Sequence, residues 1–155
     1  MQSVWEDRKV VAVAEEQRKK SQSQRRASGS PSQQLGSCGE QLAVQRILQD
    51  GYCILLRNFR CRYGEIDIIA EHEGDLVFLE VKTRRGVAYG IPEEAITPLK
   101  VRRMLRAIAY YLSTHEELYS ERSWRIDVVA VQMSSVGRLE EIRLYPHAIT
   151  DIERL

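Results

Sequence analysis

Two carboxylates and a lysine lie in neighbouring apolar segments, and these residue types suit chemistry assisted by a metal ion. Asp67 lies in the first segment, and Glu80 and Lys82 lie in the next. Successive side chains of a strand point to opposite faces, so Glu80 and Lys82 are expected to share a face. Carboxylate oxygens are the ligands that Mg²⁺ prefers. A nearby ammonium group can orient water or balance charge that builds up on a phosphate.

A two-residue turn at Glu73–Gly74 is predicted to join the two segments into a hairpin, because glycine suits the positive φ of such turns. In this register Asp67 faces Glu80, and Glu65 faces Lys82 on the same side of the sheet. The opposite side carries only apolar residues, which are Ile66, Ile68, Ala70, Val77, Leu79 and Val81. A slip of one residue would mix the two sets, so the pattern favours this register.

Carboxylates placed directly across a hairpin repel each other. A divalent cation between Asp67 and Glu80 would remove that cost, and we interpret the pair as a candidate metal site. The alternative interpretation is a half-exposed sheet face whose charged side chains point to water.

Glu40 is a third candidate metal ligand. It precedes the apolar residues of a predicted helix, Gly39–Asp50, and lies at the edge of the side that faces the sheet. The alternative is a capping box, in which Glu40 bonds back to Ser37 at the start of the helix. The sequence leaves both interpretations open.

Hydrophobic periodicity predicts the order of elements around these residues. Helix Gly39–Asp50 is expected to end at Gly51, and a second helix, from Pro98 to Ser113, is expected to be capped by Thr97. The predicted strands are Cys53–Arg62, Glu65–Glu71, Leu76–Thr83, Trp124–Met133 and a short edge strand at Ile142–Tyr145. The expected fold class is α/β, with a mixed central sheet flanked by helices in the order α-β-β-β-α-β.

Composition divides the chain into two parts. The chain has 155 residues and a net charge of +1, but residues 1–34 carry seven basic and four acidic residues. Residues 17–34 contain no large apolar side chain, so we predict a disordered basic tail over 1–34. Residues 35–155 have a length that suits a single α/β domain.

The sequence also gives expectations about location. No apolar run approaches the roughly 20 residues that span a membrane, and no secretory signal is recognisable. The three cysteines form no paired motif. We therefore expect a cytoplasmic protein with reduced thiols and no membrane partner.

Basic residues gather at the start of the second predicted helix and in the loop before it. They are Arg84, Arg85, Lys100, Arg102, Arg103 and Arg106. We predict that they contact a nucleic-acid backbone, through salt-dependent phosphate contacts. The alternative is a solvated basic face with no partner.

Taken in order, these residues resemble a known family. Asp67 followed by Glu80–Lys82 matches the D…E-x-K signature of the restriction-endonuclease-like nuclease superfamily. Longer stretches resemble the YraN family, a group of small bacterial proteins similar to Holliday-junction resolvases. These stretches are Gly39–Glu40, Gly51–Tyr52, Gly64–Ala70, Phe78–Arg84 and Gly90–Ala95 followed by Lys100. The resemblance covers nearly all of residues 36–147.

This resemblance implies a restriction-endonuclease-like core and a nuclease-type site. Asp67 and Glu80 would hold Mg²⁺ or Mn²⁺ with the carbonyl of Val81, and Lys82 would position the attacking water. Glu40 matches the helix glutamate of resolvase-like members, which would hold a second ion. The implied partner is DNA, branched or single-stranded, bound by a homodimer as in resolvases.

Family membership does not by itself imply cleavage, and two other hypotheses remain at this stage. The chain could be a non-catalytic nucleic-acid-binding or adaptor module that retains the nuclease fold. It could also be a small phosphoesterase that acts on a substrate other than nucleic acid.

Overall fold

A computed structural model of the chain describes residues 31–86 and 97–149. The predictions for residues 1–30 and for the Tyr89–Ala95 part of the loop lie outside the described residues. The described helices are α1 (Pro31–Gln49), α2 (Pro98–Thr114) and the short α3 (Glu116–Tyr119). The strands are β1 (Cys53–Cys61), β2 (Gly64–His72), β3 (Asp75–Arg85), β4 (Trp124–Met133) and β5 (Leu139–Tyr145).

The five strands form one mixed sheet in the order β1-β2-β3-β4-β5. Strands β3 and β4 are parallel, whereas every other neighbouring pair is antiparallel. A parallel pair needs a long crossover connection, and α2 lies in that connection. The predicted α/β class, with a mixed sheet flanked by helices, is confirmed.

Two apolar clusters pack around the sheet, one containing α1 and the other α2. The α1 cluster contains Ala43, Ile47, Ile68, Ala70, Val77, Leu79 and Val129 among its buried residues. The α2 cluster contains Phe59, Ile66, Ile69, Phe78, Met104, Ile108 and Tyr111. Tyr111 is therefore a core residue, whereas Leu48 of α1 is 52% exposed.

Helix α1 begins earlier than the sequence predicted. Its first residue is Pro31, so the last residues of the predicted tail are helical. Proline fits the first turn of a helix, and the glutamines and leucine that follow are good helix formers. Because Ser37 lies inside the helix rather than at its start, the capping-box interpretation of Glu40 is wrong. The helix ends at Gln49, one residue before the predicted Asp50, and Gly51 follows in the turn with a φ of 89°.

The predicted hairpin register is confirmed where β2 and β3 are paired. Glu73 and Gly74 have φ values of 52° and 91°, as a tight two-residue turn requires. Ile68 pairs with Leu79, and this is the last pair before the two strands diverge. The predicted pairing of Asp67 with Glu80 is therefore not part of the ladder.

One detail of the predicted alternation is wrong. Ile66 lies in the α2 cluster, whereas Ile68 lies in the α1 cluster as expected. The alternation is interrupted next to Asn58, which has a φ of 55° on the paired strand β1. A residue in this left-handed conformation disturbs regular strand geometry and changes the direction of the neighbouring side chains.

A buried polar network joins the beginning of β3 to β4 and to the residue before β1. Asp127, fully buried, accepts hydrogen bonds from Tyr52 Oη at 2.8 Å and from Arg125 Nε at 3.1 Å. Arg125 also donates to Asp75 at 2.7 Å and contacts His72 Nδ1 at 2.9 Å. The network indicates a structural role for Asp127. No described helix has the length and apolar character needed to cross a membrane.

Two glycines of α1 provide a test of this packing. A Cβ at Gly39 would lie 1.7 Å from Thr83 Oγ1 on β3, whereas a Cβ at Gly36 meets nothing within 4 Å. Gly39→Ala should lower the free energy of unfolding by about 1–3 kcal/mol through overpacking. Gly36→Ala should raise it by up to about 1 kcal/mol through helix propensity. Urea denaturation of both variants measures the change in the free energy of unfolding. Equal changes in the two variants would contradict the close contact of α1 with β3.

Candidate functional site

The candidate site lies where β2 and β3 diverge. Beyond the last pair, the backbone N–H of Val81 has no backbone acceptor on β2. It donates instead to a side chain of that strand, at 2.8 Å from Asp67 Oδ2. The side chain of Asp67 therefore takes the place of a backbone acceptor. This bond fixes the orientation of the carboxylate and leaves Oδ1 as its other oxygen for a ligand.

Glu80 is buried beside Asp67, with a side chain that is only 2% exposed. Its Oε1 lies 2.9 Å from Lys82 Nζ, which confirms that these two side chains share a face of β3. Its Oε2 is buried and accepts no hydrogen bond from any residue in the described parts of the chain. Lys100 Nζ is 3.3 Å from this atom, which makes an ion pair without a well-directed hydrogen bond.

Lys100 is a site residue that the sequence assigned to a different role. It was grouped with the basic residues predicted to bind nucleic acid, but the structure brings it to Glu80 and to Glu65 Oε1 at 3.5 Å. Thr97 caps α2 as predicted by accepting the Lys100 N–H at 3.2 Å, and this fixes the first turn. The Thr97–Pro98 cap predicted where this helix starts, but not that Lys100 would contact Glu80.

The charges of the site perturb one another. Burial, followed by the negative charges of Glu80 and Glu40, raises the pKa of Asp67 to about 7, against the opposing effects of the Val81 N–H and Lys100. For Lys100, burial acts to lower the pKa, but the surrounding carboxylates outweigh it and raise the pKa. Glu40, on α1, is half-buried, and its effect on the pKa of Asp67 is smaller than that of Glu80.

The residues present fit a single hard divalent cation better than a chelating cage. Within residues 31–86 and 97–149, no group of three or more histidine, cysteine, aspartate or glutamate side chains is arranged to hold a metal. Asp67 and Glu80 supply two carboxylates, and Mg²⁺ usually takes one or two carboxylates with water or phosphate oxygens. The buried oxygen of Glu80 without a hydrogen bond is the atom most in need of such a partner.

The other predicted basic residues lie elsewhere. Arg102, Arg103 and Arg106 are exposed on α2. Arg84 and Arg85 belong to β3 rather than to a loop, because β3 continues in its pairing with β4 to the Arg85–Met133 pair. Arg85 approaches Gly137 in the turn between β4 and β5, and no contact places it with Lys100 in the described residues.

The raised pKa of Asp67 predicts how stability depends on pH. A carboxyl whose pKa is about 7 in the folded protein, above about 4 in an unfolded chain, binds its proton more tightly when folded. The contribution of Asp67 to stability is therefore fully present below about pH 4 and is lost as the pH rises through 7. Asp67→Asn removes this loss, and the amide oxygen can still accept the Val81 N–H. Without divalent ions and above about pH 7, the free energy of unfolding of the variant should exceed that of the wild type by on the order of 1 kcal/mol or more.

Urea denaturation over this pH range measures the effect. Glu140→Gln, which changes an exposed carboxylate of β5, is the matched control and should follow the wild type. If the free energy of unfolding of Asp67→Asn falls with rising pH as steeply as that of the wild type, the pKa of Asp67 is not raised in the folded protein.

Comparison with known proteins identifies the family. Residues 39–131, which include Glu40, Asp67, Glu80, Lys82 and Lys100, match the sequence model of the uncharacterised protein family UPF0102. A UPF0102 protein of Roseiflexus castenholzii is 42% identical over 117 residues, or 76% of this chain and 94% of the relative. One of Symbiobacterium thermophilum is 49% identical over 109 residues, or 70% and 90% of the two chains. These matches confirm the expected YraN-like family, and the chain belongs to UPF0102.

Proposed function

We propose that the protein is a nuclease of the restriction-endonuclease-like type that binds DNA and hydrolyses its phosphodiester bonds with the help of Mg²⁺ or Mn²⁺. The observation that carries the proposal is the Glu80 carboxylate, which is buried between two lysines and has one oxygen without a hydrogen bond. The nearest partner of this oxygen is the Lys100 ammonium group at 3.3 Å, which is not well directed, whereas buried polar atoms usually have a well-formed hydrogen bond. A buried oxygen of this kind beside a second carboxylate suits a cation.

The two carboxylates and the two lysines have separate roles in this proposal. Asp67 and Glu80 would hold the cation, which would supply an activated water and stabilise charge on the phosphate. Lys82 would orient that water. Lys100 places a second ammonium group where negative charge develops on the phosphate oxygens.

The position of the motif supports the restriction-endonuclease-like core. Asp67 and the Glu80–Lys82 pair lie on adjacent strands of a mixed sheet, at the point where those strands diverge. Glu40, on the helix that covers the other face, adds negative charge near Asp67 and is the candidate for an additional ligand.

One observation favours a second candidate function, a nucleic-acid-binding module without catalysis. The Lys82 and Lys100 ammonium groups already lie 2.9 Å and 3.3 Å from Glu80, so the carboxylate is largely neutralised by the protein itself. In such a module both lysines would be permanent structural partners. DNA binding would then be independent of divalent ions.

A cleavage assay with and without Mn²⁺ or Mg²⁺ tests the proposed function. The substrates are single-stranded, duplex, flap and four-way DNA. We expect cleavage of at least one of them by the wild type, and a loss of about 100-fold or more in Asp67→Asn and Glu80→Gln, since each loses charge that holds the cation.

Glu140→Gln is the control carboxylate, because it lies exposed on β5, and it should cleave at the wild-type rate. Cleavage that survives in Asp67→Asn would exclude the proposed site. Cation-independent binding without cleavage of any substrate would favour the non-catalytic module instead.

A further inference from the structure

An exposed aromatic pair lies beside the candidate site, where the turn between β1 and β2 meets α2. The ring centroids of Tyr63 and Tyr110 are 5.7 Å apart. The two side chains are 37% and 39% exposed, and no other large aromatic side chain of residues 33–86 and 97–149 is as exposed. Tyrosine rings usually bury their area in cores or interfaces, so a paired exposed set indicates a binding surface.

Positive charge surrounds this pair. The guanidinium of Arg62 lies 4.6 Å from the centroid of the Tyr63 ring. Arg103, Arg106 and Tyr110 follow one another on α2 at spacings of three and four residues, so they share one side of the helix. Helix α2 contains neither aspartate nor glutamate, which leaves these arginines without an acidic neighbour on the same helix.

The same surface adjoins the candidate site. A Cβ on Gly64 would lie 2.9 Å from the Arg103 carbonyl oxygen, so the turn that carries Tyr63 is in direct contact with α2. The next residue, Glu65, pairs with Lys100 Nζ at 3.5 Å, and Lys100 in turn pairs with Glu80. A bound chain could therefore pass from the aromatic pair to the buried carboxylate along α2.

We propose that Arg62, Tyr63, Arg103, Arg106 and Tyr110, the Tyr63–Tyr110 surface, bind a single-stranded DNA segment. The arginines contact phosphates, and the tyrosine rings stack on unpaired bases. In a duplex the faces of the bases are hidden in the stack, so only the arginines would find partners. The inference deepens the proposed nuclease function by naming a single-stranded part of the substrate, but the binding itself requires neither metal nor cleavage.

Fluorescence anisotropy with labelled oligothymidylate and a labelled duplex, in EDTA at low salt, tests the proposal on the full chain. Tyr63→Leu and Tyr110→Leu should each weaken binding to oligothymidylate by about tenfold and change duplex binding by less than about twofold. Tyr63→Phe, which keeps the ring, should bind like the wild type. Arg103→Gln should weaken the binding of both the oligothymidylate and the duplex, and it should reduce the dependence of both affinities on salt concentration.

Two controls share the chemistry of these residues but lie at the other edge of the sheet. Tyr145→Leu on β5 and Arg138→Gln in the turn before β5 should leave both affinities unchanged. The proposal would be contradicted if the wild type did not bind oligothymidylate, or if the leucine variants bound it with wild-type affinity. It would also be contradicted if a tyrosine variant changed only self-association, as measured by sedimentation.

The two proposals fail in different ways. If oligothymidylate binding depends on the tyrosine rings but no DNA is cleaved in Mn²⁺, the nuclease proposal is contradicted and the proposed Tyr63–Tyr110 surface is supported. If cleavage depends on the metal but Tyr63→Leu and Tyr110→Leu have wild-type rates and affinities, the nuclease proposal is supported and the proposed surface is contradicted.

Discussion

The burial of the Glu80 carboxylate is the constraint on which the rest of the site depends. A charge removed from water is costly unless it is paired, and Glu80 is paired by lysines from two different elements. Lys82 follows on the same strand, whereas Lys100 comes from the first turn of α2. The position of α2 is therefore coupled to the site, through the Thr97 cap and through the contact at Gly64.

The two buried carboxylates of the sheet differ in a way that separates structure from function. Asp127 uses both oxygens, because it accepts from Tyr52 Oη, from Arg125 and from the backbone N–H of His147. The Oε2 atom of Glu80 has the Lys100 ammonium group at 3.3 Å but accepts no well-directed hydrogen bond from the described residues. The difference is accounted for if a ligand completes Glu80.

Much of this arrangement could be predicted from local sequence. The Thr97–Pro98 start of α2, the Glu73–Gly74 turn and the hairpin register follow from capping, glycine conformation and alternation, and the structure confirms them. The register also predicted that Glu80 and Lys82 share a face. Three features could not be read locally, because they depend on contacts between distant segments or on a break in a regular pattern. They are the early start of α1, the face of Ile66 and the role of Lys100 in the site.

The central claim is that Asp67 and Glu80 form a binding site for a divalent cation. Isothermal titration of the full chain with Mn²⁺, without nucleic acid, tests it most directly, beside Glu80→Gln and the exposed control Glu140→Gln. We expect one saturable site in the wild type and in the control, and its loss in Glu80→Gln with the fold intact by circular dichroism. Equal binding by all three proteins, or none by the wild type, would contradict the claim.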